Sequence, residues 1–232
     1  MTVYLGGWRG TRSSCTWDPL DASAALDRFE RDQPIEKILD GIRYRLYVRT
    51  CAATDQLVWI PQRGPGALAF DGRSYLARIL PRPEIGAAPP TGEGVAQVGM
   101  WFWTSTPWEP MSVTAWVPTP NGAVWATTTA TPVRLVVDPG DGGLGDGPLV
   151  CDGPGQPWLP EYGDELASTC MYTYRHSSVL AEDRQAFRAG MTIEWDVWWT
   201  SSSGAGGELA PIRTTTPTPI VVREIQAIIT SP

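Results

Sequence analysis

The chain is short of charge, and above all of basic charge in clusters. Of 232 residues only 19% are charged, there is one lysine (Lys37) and one histidine (His176), and the net charge is −7. A chain of that balance lacks the phosphate-neutralising contribution that drives nucleic-acid binding, so no nucleic-acid partner is expected. A phosphate loop is missing too. It needs G-x-x-x-x-G-K-[ST], and Lys37 sits in Ile35-Glu36-Lys37-Ile38 with no glycine-rich approach. Residues 140–147 are glycine-rich, but Asp141 and Asp146 there repel phosphate, so no nucleotide is expected. No apolar run approaches the roughly 18 residues of a membrane span, so the chain is not expected to cross one. Residues 1–10 show no basic stretch followed by an apolar one, and no signal peptide is visible.

What is abundant is turn-forming and aromatic. Gly (24) and Pro (22) favour many short strands joined by tight turns over long helices. Twelve Trp predict large aromatic clusters, inside or on the surface. The four cysteines, Cys15, Cys51, Cys151 and Cys170, form no C-x-x-C pair, and one histidine leaves few ligands for zinc. An even count in such a chain fits two disulfides and an oxidising compartment, against the competing reading of four buried thiols in a cytosolic protein. Of three possible connectivities, 15–51 and 151–170 join sequence neighbours and are the economical choice. A secreted location is then expected, with any signal already removed or export by a route without a cleaved signal.

Along the chain, residues 18–39 have helical character, with Ala22, Ala25, Leu26 and Phe29 on one face, Pro34 interrupting and Gly41 ending it. Ile42, Tyr44, Leu46 and Val48 alternate with Arg43, Arg45, Tyr47 and Arg49, a half-buried strand. A second strand follows at 57–60 and a helix at 67–80. The proline-rich stretch 81–90 predicts a domain boundary, separating a smaller α+β segment (1–90) from a β domain (91–232). In the latter, strands are expected at 95–103, 111–117, 123–130, 133–138, 191–200 and 219–229. Asn121-Gly122 marks a hairpin, and 201–207 a flexible loop. On the 191–200 strand Met191, Ile193, Trp195, Val197 and Trp199 share the face expected to be buried. Thr192, Glu194, Asp196, Trp198 and Thr200 share the face expected to be exposed. Strands at this spacing predict a sandwich.

Val137-Asp138-Pro139-Gly140-Asp141-Gly142, with Cys170-Met171-Tyr172-Thr173-Tyr174 further on, resembles the PKD-type β-sandwich. That family has a Gly-Asp-Gly turn after an early strand and His-Thr-Tyr before a later one. Here Met171 stands in place of the His, and Pro139 in place of an apolar residue. More closely, residues 92–230 resemble a family of secreted actinobacterial proteins often found near conjugation or secretion genes. The shared pattern is a Trp-rich strand, an alternating Trp strand ending in Trp-Thr, and a last strand like Val222-Arg223-Glu224-Ile225-Gln226-Ala227. The resemblance implies a mainly β, PKD/Ig-like sandwich. Some members of that family carry the label "ATP/GTP-binding", which the residues here do not support.

Four side-chain groups are candidates for chemistry. Asp138, Asp141, Asp146 and Asp152 crowd one acidic loop and offer hard oxygen ligands for calcium, but without the 1-3-5 spacing of a dedicated calcium loop; capping of turns is the plainer role. Glu194 and Asp196, about 7 Å apart on one strand face, suit a glycosidase acid/base pair, to which Glu161, Asp164 and Glu165 of the cysteine loop could add, though a solvated strand face is the plainer reading. His176 with Ser177 and Ser178 lacks a G-x-S-x-G elbow. Trp198, outward beside two carboxylates, can stack a sugar or anchor a protein, unless the N-terminal segment covers it. No catalytic residue and no cofactor are expected. The expectation is a non-catalytic extracytoplasmic binding or assembly protein of the cell envelope or of a secretion or conjugation apparatus. It would engage a protein partner, a second copy or cell-wall glycan. The alternatives are a carbohydrate-binding module using surface Trp and a glycoside hydrolase using the Glu/Asp pair.

Overall fold

The structure, a computed structural model, describes residues 15–20, 34–52, 54–119, 122–162, 166 and 168–225. In chain order the strands are β1 (Thr16–Pro19), β2 (Glu36–Leu39), β3 (Ile42–Cys51), β4 (Thr54–Pro61), β5 (Ile85–Ala88), β6 (Gly94–Val95) and β7 (Gly99–Thr104). Then come β8 (Met111–Thr119), β9 (Gly122–Asp138), β10 (Leu149–Asp152), β11 (Met171–Thr173), β12 (Phe187–Ser201), β13 (Gly206–Ile220) and β14 (Val222–Arg223). One α-helix among the described residues, α1 (Pro65–Ile79), lies between β4 and β5. The protein is mainly β, with several sheets, as expected of a sandwich.

The chain groups into two compact units, and they interleave in sequence. Unit 1 holds Met1–Arg78, Met111–Ala130 and Val197–Ala210; unit 2 holds Ile79–Pro110, Thr131–Asp196 and Pro211–Pro232. This grouping differs from a single cut at 90/91. The proline-rich stretch 81–90 contains β5, which pairs antiparallel with β7 at the edge of a three-stranded sheet. An edge strand needs fewer N–H donors, so prolines beside it are tolerated.

In unit 1, β3 pairs with β4 along one side and with β1 and β2 along the other. The disulfide Cys15–Cys51 ties the start of β1 to the end of β3. Residues 36–39 were expected to be helical and are instead strand β2. Asp40 and Gly41, both at positive φ (51° and 76°), make the two-residue turn into β3, with Leu39 opposite Ile42. Residues 21–33, which hold the expected helix face, lie outside the described residues. Tyr47 was expected on the exposed face of β3 and is buried. Leu46 and Val48 pack with Leu20, while Tyr47 packs with Ile60, Leu68, Ala69, Ala115, Val117 and Ala126. A strand buried on both faces loses the alternation that marks a half-buried one. Helix α1 starts at Pro65, where a missing N–H costs nothing, and its buried Leu68, Ala69, Gly72 and Leu76 form one stripe.

In unit 2 the buried odd positions of β12 and of the second half of β9 form one sheet face. A second sheet runs β11-β7-β5. The two sheets are joined by Cys151–Cys170, from β10 to the residue preceding β11, with Cα atoms 5.1 Å apart. The expected pairing is present, but it bridges two sheets where neighbouring strands of one sheet were expected. Residues 95–103, read as one strand, are interrupted at 96–98 between β6 and β7.

Strands β9, β12 and β13 run through both units. β12 keeps one phase throughout. In β9 the buried positions are Ala126, Thr128, Ala130 and Pro132, then Leu135 and Val137. In β13 the half-buried Gly207 and Leu209 give way to buried Ile212, Thr214, Thr218 and Ile220. Each slip of one residue turns the opposite set of side chains inward, as an extra residue in a strand does. No strand was expected over 208–218. Pro211, Pro217 and Pro219 conceal it, and they are tolerated because β13 ends the sheet order.

Replacing Cys151 and Cys170 together by Ser is expected to lower unfolding stability by about 3 kcal/mol, the chain-entropy value for a loop of this size. Chemical denaturation of the oxidised protein and the double variant measures it; equal midpoints refute the stabilising role.

Candidate functional site

The acidic loop is a set of turn caps and one buried lock. Asp138 Oδ1 accepts a hydrogen bond from the Gly140 N–H (3.0 Å). Gly140, at φ +67°, lies where a Cβ would fall 2.2 Å from the Arg188 carbonyl carbon, so only glycine fits. Asp141 is 6% exposed. Its Oδ1 accepts from the Gly143 N–H (3.2 Å) and its Oδ2 from the Tyr172 hydroxyl (2.6 Å). Asp146 pairs with Arg175. The Tyr174 hydroxyl donates to the Pro139 carbonyl (3.0 Å), and its ring stacks on Phe187 at 5.3 Å. Asp138, Asp141 and Asp146 are therefore directed to three different partners, and Asp152 lies on β10, its backbone opposite Arg134 of β9. Among the described residues no group of three or more His, Cys, Asp or Glu side chains is arranged to hold a metal.

Burial pushes the Tyr172 hydroxyl well above the ordinary tyrosine range, helped by its bond to Asp141 and that carboxylate's charge. Burial likewise raises Tyr174, with Tyr172 and Asp141 adding to it.

The candidate glycosidase pair, Glu194 and Asp196, differs in exposure and partners. Glu194, expected on the exposed face, has a side chain only 17% exposed, because two guanidiniums enclose it. Arg134 Nε lies 2.9 Å from Oε2 and Arg213 Nη2 lies 2.6 Å from Oε1. Alternation alone does not reveal those partners, which arrive from neighbouring strands. Asp196 is exposed. Glu161 is exposed in a short turn, and Asp164 and Glu165 lie outside the described residues. His176 is exposed, whereas Ser178 is buried; its hydroxyl donates to the Gln185 carbonyl (2.6 Å) and accepts from the Val222 N–H (3.2 Å). These bonds hold a turn. Lys37 stands over the rings of Trp59 (4.3 Å) and Tyr44 (5.8 Å), away from any glycine-rich turn.

The remaining candidate, Trp198, is 52% exposed. Its face within unit 1 is set by packing on the other side. Trp199 and Leu209 pack against the cluster of Ala115, Val117 and Ala126, so Trp198 points the opposite way. That opposite face carries three cross-strand pairs of β8 and β9: Ser112–Thr129, Thr114–Thr127 and Trp116–Trp125. The two hydroxyl pairs are each hydrogen-bonded at 2.8 Å. Trp17 meets Trp116 edge-on, with centroids 6.4 Å apart. The Ser202 N–H donates to the Trp125 carbonyl (3.1 Å), and counting back along β12 sets Thr200 level with Thr127 and Trp198 level with Thr129. Trp198 and the Trp116–Trp125 pair thus stand about 14 Å apart by strand geometry, with hydroxyls between them. Sequence reasoning singled out Trp198 alone. The run Thr127-Thr128-Thr129 and the spacing of Trp116 and Trp125 about the hairpin were the available signal.

Comparison with family models, with curated proteins and with solved structures finds no match to this chain.

The tyrosine lock makes an alkaline prediction. Both folded tyrosines hold their protons above the unfolded value of about 10, so the unfolded chain binds fewer protons there and stability falls as pH rises through that value. Below it their contribution is fully present. Tyr172→Phe leaves the buried Asp141 without its hydroxyl donor and is expected to cost about 1–3 kcal/mol at neutral pH. It is also expected to flatten the alkaline loss. Denaturant midpoints across neutral to alkaline pH test both, and an unchanged slope in the variant removes Tyr172 as the source.

Proposed function

We propose that the chain is a secreted, non-catalytic binding or assembly protein of the cell envelope or of a secretion or conjugation apparatus, built on a PKD/Ig-like sandwich. The observation that carries this is Trp198, a large aromatic half exposed on a sheet face whose other side is packed. Leaving an indole in water forgoes its burial free energy, and aromatic anchors of that kind mark binding surfaces. Both disulfides support an oxidising compartment. No helix among the described residues is long and apolar enough to cross a membrane.

The hydrolase alternative draws less support. Each oxygen of Glu194 is engaged by a guanidinium and its side chain is only 17% exposed, which leaves little of it open to a sugar. The acidic residues of the 138–146 loop are likewise taken up in turns and in the tyrosine lock.

Sedimentation of the intact oxidised chain with isolated envelope from the producing cells tests the reading. Saturable pelleting, weakened about tenfold by Trp198→Ala, with no hydrolysis product in the supernatant, is the expected result. A chain that stays in solution at every concentration, or that releases product, overturns it.

A further inference from the structure

From the face around Trp198 we infer that the ligand is a neutral, linear, β-1,4-linked glycan, lying along the strands from Trp198 to the Trp116–Trp125 pair. The inference rests on the binding reading above and names its ligand class. Three observations on unit 1 carry it.

The first is charge. On this face the cross-strand pairs of β8 and β9 are Trp, Ser and Thr, and β12 adds Trp198 and Thr200, with the exposed Asp196 two residues before Trp198. Asp196 and Glu208, the latter exposed on β13 and of the opposite phase to Leu209, are carboxylates at the margin, and no Lys or Arg stands among these positions. A surface without cations offers nothing to nucleic acid, anionic lipid or acidic peptide. It complements an uncharged ligand.

The second is hydrogen-bonding capacity. A hydroxyl has one donor and two lone pairs. In the Ser112–Thr129 and Thr114–Thr127 pairs one hydroxyl donates to the other, so each pair keeps one O–H and further lone pairs for a ligand. Thr200, exposed and level with Thr127, adds another. An apolar protein surface docked here would bury those groups without partners, at a cost of about 1–3 kcal/mol each. A polyhydroxy chain, by contrast, both donates to and accepts from them.

The third is the aromatic placement. The equatorial hydroxyls of a β-1,4-linked sugar leave flat C–H faces, which stack on an indole ring. Trp198 supplies an exposed ring at one end, and the half-buried Trp116 and Trp125, directly opposite each other across β8 and β9, stand at the other. The span of about 14 Å suits a short oligosaccharide better than a single ring.

Titration of the intact oxidised protein with cellohexaose and with the β-1,4-linked N-acetylglucosamine hexamer, followed by tryptophan fluorescence and calorimetry, tests the assignment. Maltohexaose, α-linked and curved, is the comparison. Saturable binding of a β-linked hexamer is expected, with Trp198→Ala weakening it about tenfold or more and Thr127→Val with Thr129→Val weakening it to a smaller degree. Val150→Ala, an exposed change on β10 of unit 2, should leave it unaltered. Unchanged circular dichroism in each variant separates lost contacts from lost fold, and Trp198→Phe, which keeps a ring, should recover part of the affinity. Absence of saturable binding up to about 1 mM, equal binding of maltohexaose, or full binding by Trp198→Ala overturns the glycan. If the titrations fail while Trp198-dependent envelope pelleting persists, the glycan falls and the binding reading stands; if pelleting fails as well, both fall.

Discussion

In β12 the buried positions Met191, Ile193, Trp195 and Val197 recur at every second residue, and a strand packed in that way has no freedom to slide. A shift of one residue would bring Thr192, Glu194 and Asp196 into the interior, at a cost of several kcal/mol for unpaired buried polar groups. Trp195 adds direction to the constraint. Its indole is fully buried, and the N–H donates to the Thr214 hydroxyl at 3.0 Å, so this large side chain brings no unsatisfied donor into the core. With that phase held from Phe187 to Ser201, the outward direction of Trp198 follows. The flanking strands β9 and β13 adapt where β12 does not, each shifting its own phase by one residue.

Two of the acidic groups, Asp141 and Glu194, have their oxygens engaged by donors of the protein itself. Asp141 is buried, accepts from a tyrosine and a backbone N–H, and joins the 140–143 turn to β11. Glu194 joins β9, β12 and β13 through two arginines. Together with the disulfide between the two sheets of unit 2, these contacts hold the loop and the strand ends. Carboxylates used in this way stabilise geometry. The face of unit 1 is different in kind: its hydroxyls retain capacity and its outermost indole stands in water.

How much of this was legible depended on whether the signal was local. The alternation of 191–200, the hairpin linking β8 and β9, helix α1 and the two economical cysteine pairs all come from spacing within short stretches. The departures have non-local causes. Tyr47 is buried because β3 is covered on both faces, and Glu194 is half-buried because arginines from two other strands reach it. The strand over 206–220 was concealed by prolines that only an edge position permits. Residues 36–39 carry a helix-like pattern up to Gly41, but Asp40-Gly41 is the hairpin turn between β2 and β3.

The amino-acid sequence by itself determined the class of the protein: mainly β, disulfide-paired, poor in basic charge, with one strand whose two faces differ sharply. Period-two patterning and turn chemistry act between near neighbours, and they need no partner to be read. Only the tertiary structure decided which strands lie side by side, and so which residues form a surface. Trp116, Trp125, Thr127 and Trp198 become one face through the pairing of β8 with β9 and of β9 with β12. Such pairing is fixed by packing summed over whole strands, and no local pattern in any one of them carries it.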